Sequence, residues 1–337
     1  MKTSKYKAFL CLAFFPLSSV AAADLPPQDA GGSQLSPILD QPLDEILVVG
    51  ERPGPRLWKV SWRDHVMWIL GTLGPLPEQM TWRSHEVEAV IAQTAEILGP
   101  YSITLSVEQS DPFRSKRQSL KAVLPGRDYA RWIAMKARYV SGNEDTDNLL
   151  PTAAALLLQA GAYEKAGLTY SNEIWATINR LAQENGVPVR SLEVVADAYT
   201  AKKGYTLHSP HAGVRYLEET MDRMKTNEQS ARARANAWAV GDITSLRRLT
   251  RTDESDTALL AASWPFLSVQ EAHDIMAHAQ GTLVQVLDNA LRRNQVSFAA
   301  IPIFLLLRDH GLLADLKLNG LSVNEPDEKS DPKVSLR

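Results

Sequence analysis

Residues 57–77, LWKVSWRDHVMWILGTLGPLP, constrain the fold more tightly than any other stretch. Leu57, Val60 and Trp62 are followed by the polar break Arg63-Asp64, and then Val66, Trp68 and Leu70 alternate with Met67 and Ile69. β-branched and aromatic residues at alternating positions predict two strands joined by a turn, and apolar residues on both faces of the second predict that it is buried. Gly71, Gly74, Pro75 and Pro77 then stop the strand. In α/β proteins, ligands gather at the C-terminal ends of central strands. Gly71, Thr72 and Gly74 are therefore candidate pocket residues, with plain turn glycines as the competing reading.

The rest of the chain switches between the helical and strand periods. Ser84, followed by Glu86 and Glu88, reads as a helix start, and Val87, Val90, Ile91, Thr94 and Leu98 keep helical spacing up to Gly99-Pro100. A second strand is expected over 101–107, completing a strand–helix–strand crossover. Helices follow. Residues 127–140 place Tyr129, Trp132, Ile133, Lys136 and Val140 on one face, and Pro151 opens an Ala/Leu-rich helix with little polar surface. Ser171 caps a helix that turns Ile174, Trp175, Ile178 and Leu181 inward and stops at Asn185-Gly186. A short strand over 187–195 precedes helices at 210–226, 229–240, 242–250 (with Asp242 as N-cap) and 268–293. Sheet returns at 297–303, then a helix at 311–318 and an edge strand at 321–323. The expected fold class is α/β (α+β): a mixed sheet built from N- and C-terminal segments with a large helical insertion, predominantly helical by residue count.

The ends read differently. Lys2, Lys5 and Lys7 precede the apolar run 8–20 and the small residues Ala21-Ala22-Ala23, the pattern of a secretory signal cleaved after Ala23. Residues 24–56 read as a flexible leader, 57–323 as the folded domain and 324–337 as a disordered tail. Within the leader, 45–52 resemble the short box by which outer-membrane proteins engage TonB, and an edge strand is the competing reading. Cys11, the only cysteine, falls in the signal, so the mature chain has no disulfide or thiolate chemistry. Removing 1–23 takes away three lysines and no acid, leaving 33 basic against 39 acidic residues, a net charge of −6. That balance argues against nucleic acid as a partner, and no later run is long enough to cross a membrane. Export without disulfides points to a periplasmic or secreted protein.

Three blocks carry a family resemblance: LWKV with WILGTLGPLP at the opening, Trp238-Ala-Val-Gly-Asp-Ile-Thr-Ser-Leu246, and Phe298–Val323 ending GLLADLKLNGLSV. Together they resemble the TraB/PrgY/GumN family over residues 57–323, and especially its exported GumN-type members of Gram-negative bacteria. The resemblance implies a metal site of two histidines and a carboxylate in active relatives. This chain departs from it at each place. Gly74 stands for the first histidine, Ile301-Pro302-Ile303-Phe304 replaces the closing Gly-x-x-His, and Ile97-Leu98-Gly99-Pro100 lacks the acid. Between Ala277 and Gln280 there is no clear counterpart of the family's Arg-Asn pair. Neither glycine nor phenylalanine can ligate a divalent metal.

No other chemistry competes strongly. His208 and His211 in HSPH, near Glu218 and Glu219, read as a turn and helix start more readily than as a metal site. His273 and His278 do not share a helical face. There is no Gly-x-Ser-x-Gly elbow, P-loop or dinucleotide fingerprint. The reading is an exported cell-envelope protein, non-catalytic, with no cofactor, catalytic residue or metal ligand. It would bind a small ligand or another envelope protein through a pocket at Gly71, Thr72, Gly74 and Phe304. The alternative is a metal-dependent hydrolase or peptidase with a rearranged site using His65, His85 or His208.

Overall fold

The computed structural model describes residues 50–104, 114–115, 118–141, 146–170, 173–195, 210–250 and 269–326. The chain enters at β1 (Gly50–Arg52) and then forms the expected hairpin, β2 (Trp58–Trp62) and β3 (His65–Thr72), turning at Arg63 with φ 56°. Short strands β4 (Leu76–Pro77) and β5 (Met80–Trp82) lead to α1 (His85–Ile91), whose first turn is capped by Ser84 Oγ accepting from Val87 N–H at 3.3 Å. Then come β6 (Ile97–Thr104), α2 (Leu120–Val123), α3 (Gly126–Tyr139), α4 (Pro151–Lys165), β7 (Leu168–Thr169), α5 (Glu173–Asn185) and β8 (Val189–Val195). The long α6 (Pro210–Val240) is followed by α7 (Ile243–Thr250), α8 (Val269–Arg293), β9 (Val296–Pro302), α9 (Ile303–Leu307), α10 (Leu312–Leu318) and β10 (Ser322–Asn324).

The main sheet has six strands in the order β10-β2-β3-β9-β6-β8. β10, β2 and β3 run antiparallel in sequence, whereas β3, β9, β6 and β8 are mutually parallel. β9 comes from the C-terminal part of the chain and lies between two N-terminal strands, so the sheet closes only when both ends meet. The architecture is the expected mixed α/β one, predominantly helical. Strands buried on both faces read as near-continuous apolar runs, and Met67, Ile69 and Leu70 in β3 face Phe298, Ala299, Ala300 and Ile301 in β9 inside the main core. A smaller second core lies within the helical block, where Trp132, Leu158, Leu217 and Met221 meet.

Local pattern misplaced four features. The first helix ends at Ile91, not at Gly99, because Ala95 N–H and Thr94 Oγ1–H both donate to the Val296 carbonyl. That pairing turns the chain into β6, where Leu98 is fully buried and Gly99-Pro100 sits within the strand at a register shift. The helices expected at 210–226 and 229–240 are one continuous helix. Ile133, placed on the inner face of α3, is 43% exposed, and Trp132 is the buried anchor. Finally, strand pairing reaches into the segment read as leader: Gly50–Arg52 pairs in parallel with β5. Three of the eight residues of the TonB-like stretch are thus tied into the molecule; residues 45–49 lie outside the described residues, as do the signal segment, Ser171, His208 and the last part of the tail.

Candidate site at the sheet edge

The parallel strands bring their C-terminal ends to one edge. Leu70, Gly71 and Thr72 pair with Ala300, Ile301 and Pro302. Across β9, Ile97 and Leu98 pair with Phe298 and Ala299, which brings Gly99 level with Ala300. The fold therefore gathers Gly71, Thr72, Gly74, Gly99 and Phe304 at one end of the sheet, although they are up to 233 positions apart in sequence.

Large side chains occupy that edge. The indole of the fully buried Trp238 donates to the Gly71 carbonyl at 2.8 Å. A Cβ on Gly71 would come within 2.6 Å of Ile303 Cγ1, so this glycine is required by close packing. Gly74 faces Tyr170, whose Cδ1 would lie 3.2 Å from a Cβ there. Gly99 has φ 133°, and a Cβ there would be 2.4 Å from the Trp175 ring and 2.9 Å from the Ala300 carbonyl. Both its backbone conformation and its surroundings exclude a side chain. Phe304 is half-buried, with the Arg308 guanidinium 5.6 Å from its ring centre. Thr72 is half-buried at the strand end.

The polar groups near this edge are phenols, amides and guanidinium groups. Arg308 lies in the field of the buried Tyr101, whose hydroxyl is pushed up by burial, with Arg308 opposing. Below Gly74, Gln159 Nε2 donates to Tyr163 Oη at 3.0 Å, and Arg234 hydrogen-bonds the same hydroxyl. Burial pushes Tyr163 up to about 12 against the pull of Arg234. The rings of Tyr163 and Tyr170 meet edge to face at 6.3 Å. Tyr170 is 37% exposed as a residue, yet its hydroxyl end is enclosed, and burial drives it well above the ordinary phenol value. Burial lowers the Arg234 guanidinium, while the two tyrosines act in the other direction.

These residues do not fit a divalent metal. Gly74 and Gly99 offer no side chain, Phe304 offers no donor atom, and their spaces are taken by Tyr170, Trp175 and the Phe304–Arg308 stack. Among the described residues, no three His, Cys, Asp or Glu side chains are grouped to hold a metal ion. His65 begins β3 and hydrogen-bonds the Leu291 carbonyl at 2.9 Å. Six residues of strand separate it from Gly71, about 20 Å at the usual rise. His85 is exposed and pairs with Glu88 at 3.2 Å. The two are not assembled at Gly74; the side chains of the HSPH motif lie outside the described residues.

The chain belongs to the TraB/PrgY/gumN family, whose sequence model matches residues 56–325. No curated protein and no solved structure matches it. The Trp-x-x-Gly-Asp block serves structure in this fold. Trp238 pins β3 through Gly71, and Asp242 Oδ1 caps α7 by accepting from Ser245 N–H at 2.8 Å.

Sequence reasoning missed Arg234, Tyr163 and Tyr170. The signal was present for one of them: Arg234 falls on the same helical stripe as Ala231, Ala235 and Trp238, all fully buried. A charge on an apolar stripe is an unusual placement.

Proposed function

We propose that this protein is a non-catalytic binding protein of the bacterial cell envelope that has lost the metal site its family resemblance implies. One observation carries the reading. The places at which histidine, carboxylate and histidine would be expected hold Gly74, the run Ile97-Leu98-Gly99-Pro100 and Phe304, and aromatic or arginine side chains lie beside Gly74, Gly99 and Phe304. A sheet edge with phenols and guanidinium groups recognises ligands by hydrogen bonding and charge. Envelope location rests on the N-terminal signal pattern and the absence of mature cysteines. Among the described residues, no helix is long and apolar enough to cross a membrane. The test is metal analysis of the purified mature protein after dialysis. We expect substoichiometric zinc, manganese and iron; one bound equivalent of any of them defeats the reading.

A further inference from the structure

α4 and α6 pack side by side and run in the same direction. Gly213 lies against Pro151 and Thr152 near their starts, and further along Arg232 Nη2 donates to the Ala166 carbonyl at 3.1 Å. Their contact buries a line of polar side chains: Gln159 and Tyr163 from α4, and Tyr216, Asn227 and Arg234 from α6. Arg234 is only 3% exposed. Four atoms of this line have no hydrogen-bond partner among the described residues: Gln159 Oε1, Tyr216 Oη, Asn227 Nδ2 and Arg234 Nη1.

An enclosed guanidinium keeps its proton, so its charge needs a counter-charge. Among the described residues, no carboxylate acts on this guanidinium. Glu228, which acts on Tyr163, is engaged by Arg232 at 3.1 Å. The interactions of Arg234 are with the phenols of Tyr163 and Tyr170. Those phenols polarise the charge without neutralising it. Gln159 and Arg234 meet at the Tyr163 hydroxyl, and their unpartnered atoms there are an acceptor and a donor, the complement of a small molecule that carries an oxyanion and a further polar group.

We propose that the α4–α6 seam is a binding site for a small oxyanion-bearing molecule, a carboxylate or a phosphate, with Arg234 as its charge partner. Gln159 Oε1 accepts from the ligand, while Asn227 Nδ2 and Tyr216 Oη lie further along the seam, outside this site. Tyr170 connects the seam to solvent: its hydroxyl end belongs to the cluster, while its ring lies at the surface against Gly74. This site deepens the binding reading above and rests on it. A planar guanidinium fork favours two-oxygen recognition, which an ammonium does not reproduce.

The test is titration of the purified mature protein with sodium acetate and with inorganic phosphate, against sodium chloride at constant ionic strength, followed by thermal unfolding. A ligand that binds only the folded state raises the midpoint saturably. We expect such a rise with acetate or phosphate and none with chloride. A response to acetate alone assigns a carboxylate ligand, and one to phosphate alone assigns a phosphate ligand. Arg234→Lys should weaken binding roughly tenfold or more, the loss of one hydrogen bond to a charged group. Gln159→Glu places a carboxylate at the same phenol and should raise the midpoint while abolishing the anion response. It decides the matter if Arg234→Lys does not fold. Absence of a saturable response to either anion, or an undiminished response in Gln159→Glu, overturns the proposal and leaves the seam to buried water. Metal content measured on the same preparation separates the two claims. Bound metal defeats the non-catalytic reading, whereas metal-free protein without an anion response defeats only this site.

Discussion

Trp238 shows how one side chain can tie distant parts of this chain together. Its indole fills the space beside β3 and supplies the Gly71 carbonyl with a donor at 2.8 Å in a site without solvent. Phenylalanine would keep most of the packing and orphan that carbonyl. A buried acceptor left unsatisfied costs about 1–3 kcal/mol. Trp238→Phe should therefore lower the urea midpoint with an unchanged denaturant slope. Gly71 is also constrained by Ile303, so the strand end cannot accept even a methyl group without displacing that side chain. The strand-ending role of Gly71 was legible from its place after an apolar run. That the residue closing over it would be Trp238, 167 positions away, was not.

At the scale of elements, the edge opposite the candidate site is held by one carboxylate. Glu96, whose side chain is 12% exposed, stands immediately before β6. It pairs with Arg190 of β8 at 3.4 Å, accepts from Asn294 Nδ2 at 2.5 Å and is bonded to Arg293 in the last turn of α8. β6, β8 and the α8–β9 connection thus share a single acceptor. The partners are about half exposed, so solvent screening reduces the pair energies, and the hydrogen bonds carry most of the effect. Glu96→Ala should destabilise the fold by about 2 kcal/mol, read by urea unfolding. Salt should weaken the effect only slightly, since the carboxylate itself is enclosed. Hydrophobic period located α4, α5, α7 and α8 closely, and the first three also carry a Pro start, a Gly stop or a cap. It failed at 92–98, where Ile91 and Leu98 fit both periods and the Val296 carbonyl of a remote strand made the choice.

Over the whole molecule, buried phenols set a limit on alkaline stability. Burial raises the hydroxyls of Tyr101, Tyr163, Tyr170 and Tyr216 above the ordinary 10.0, Tyr163 to about 12. The folded state therefore holds protons that the unfolded chain releases first. Their contribution is fully present below pH 10 and is lost as pH rises through the folded values. Unfolding free energy should fall from about pH 10 upward, with the tyrosinate absorbance of these four residues appearing together with loss of structure. Early titration of all the tyrosines in a still-folded protein would contradict it. Two of these phenols, Tyr163 and Tyr170, act on Arg234, so groups that limit alkaline stability also line the proposed binding region.

Local sequence pattern was sufficient for most element types, the mixed α/β class and the family, and it drew attention to Gly74, the run Ile97-Leu98-Gly99-Pro100 and Phe304 as places where the family resemblance implies ligands. Those depend on periodicity, on caps and stops, and on which side chains can donate to a metal, all of which short stretches contain. Tertiary structure alone decided what fills the sheet edge. Tyr170 and Trp175 reach Gly74 and Gly99 from the helical block, and β9 arrives from the far end of the chain. It also decided that Arg234 is enclosed with no carboxylate acting on it among the described residues. Burial and missing partners depend on how α4 and α6 lie against each other, and no run of neighbouring residues encodes that contact.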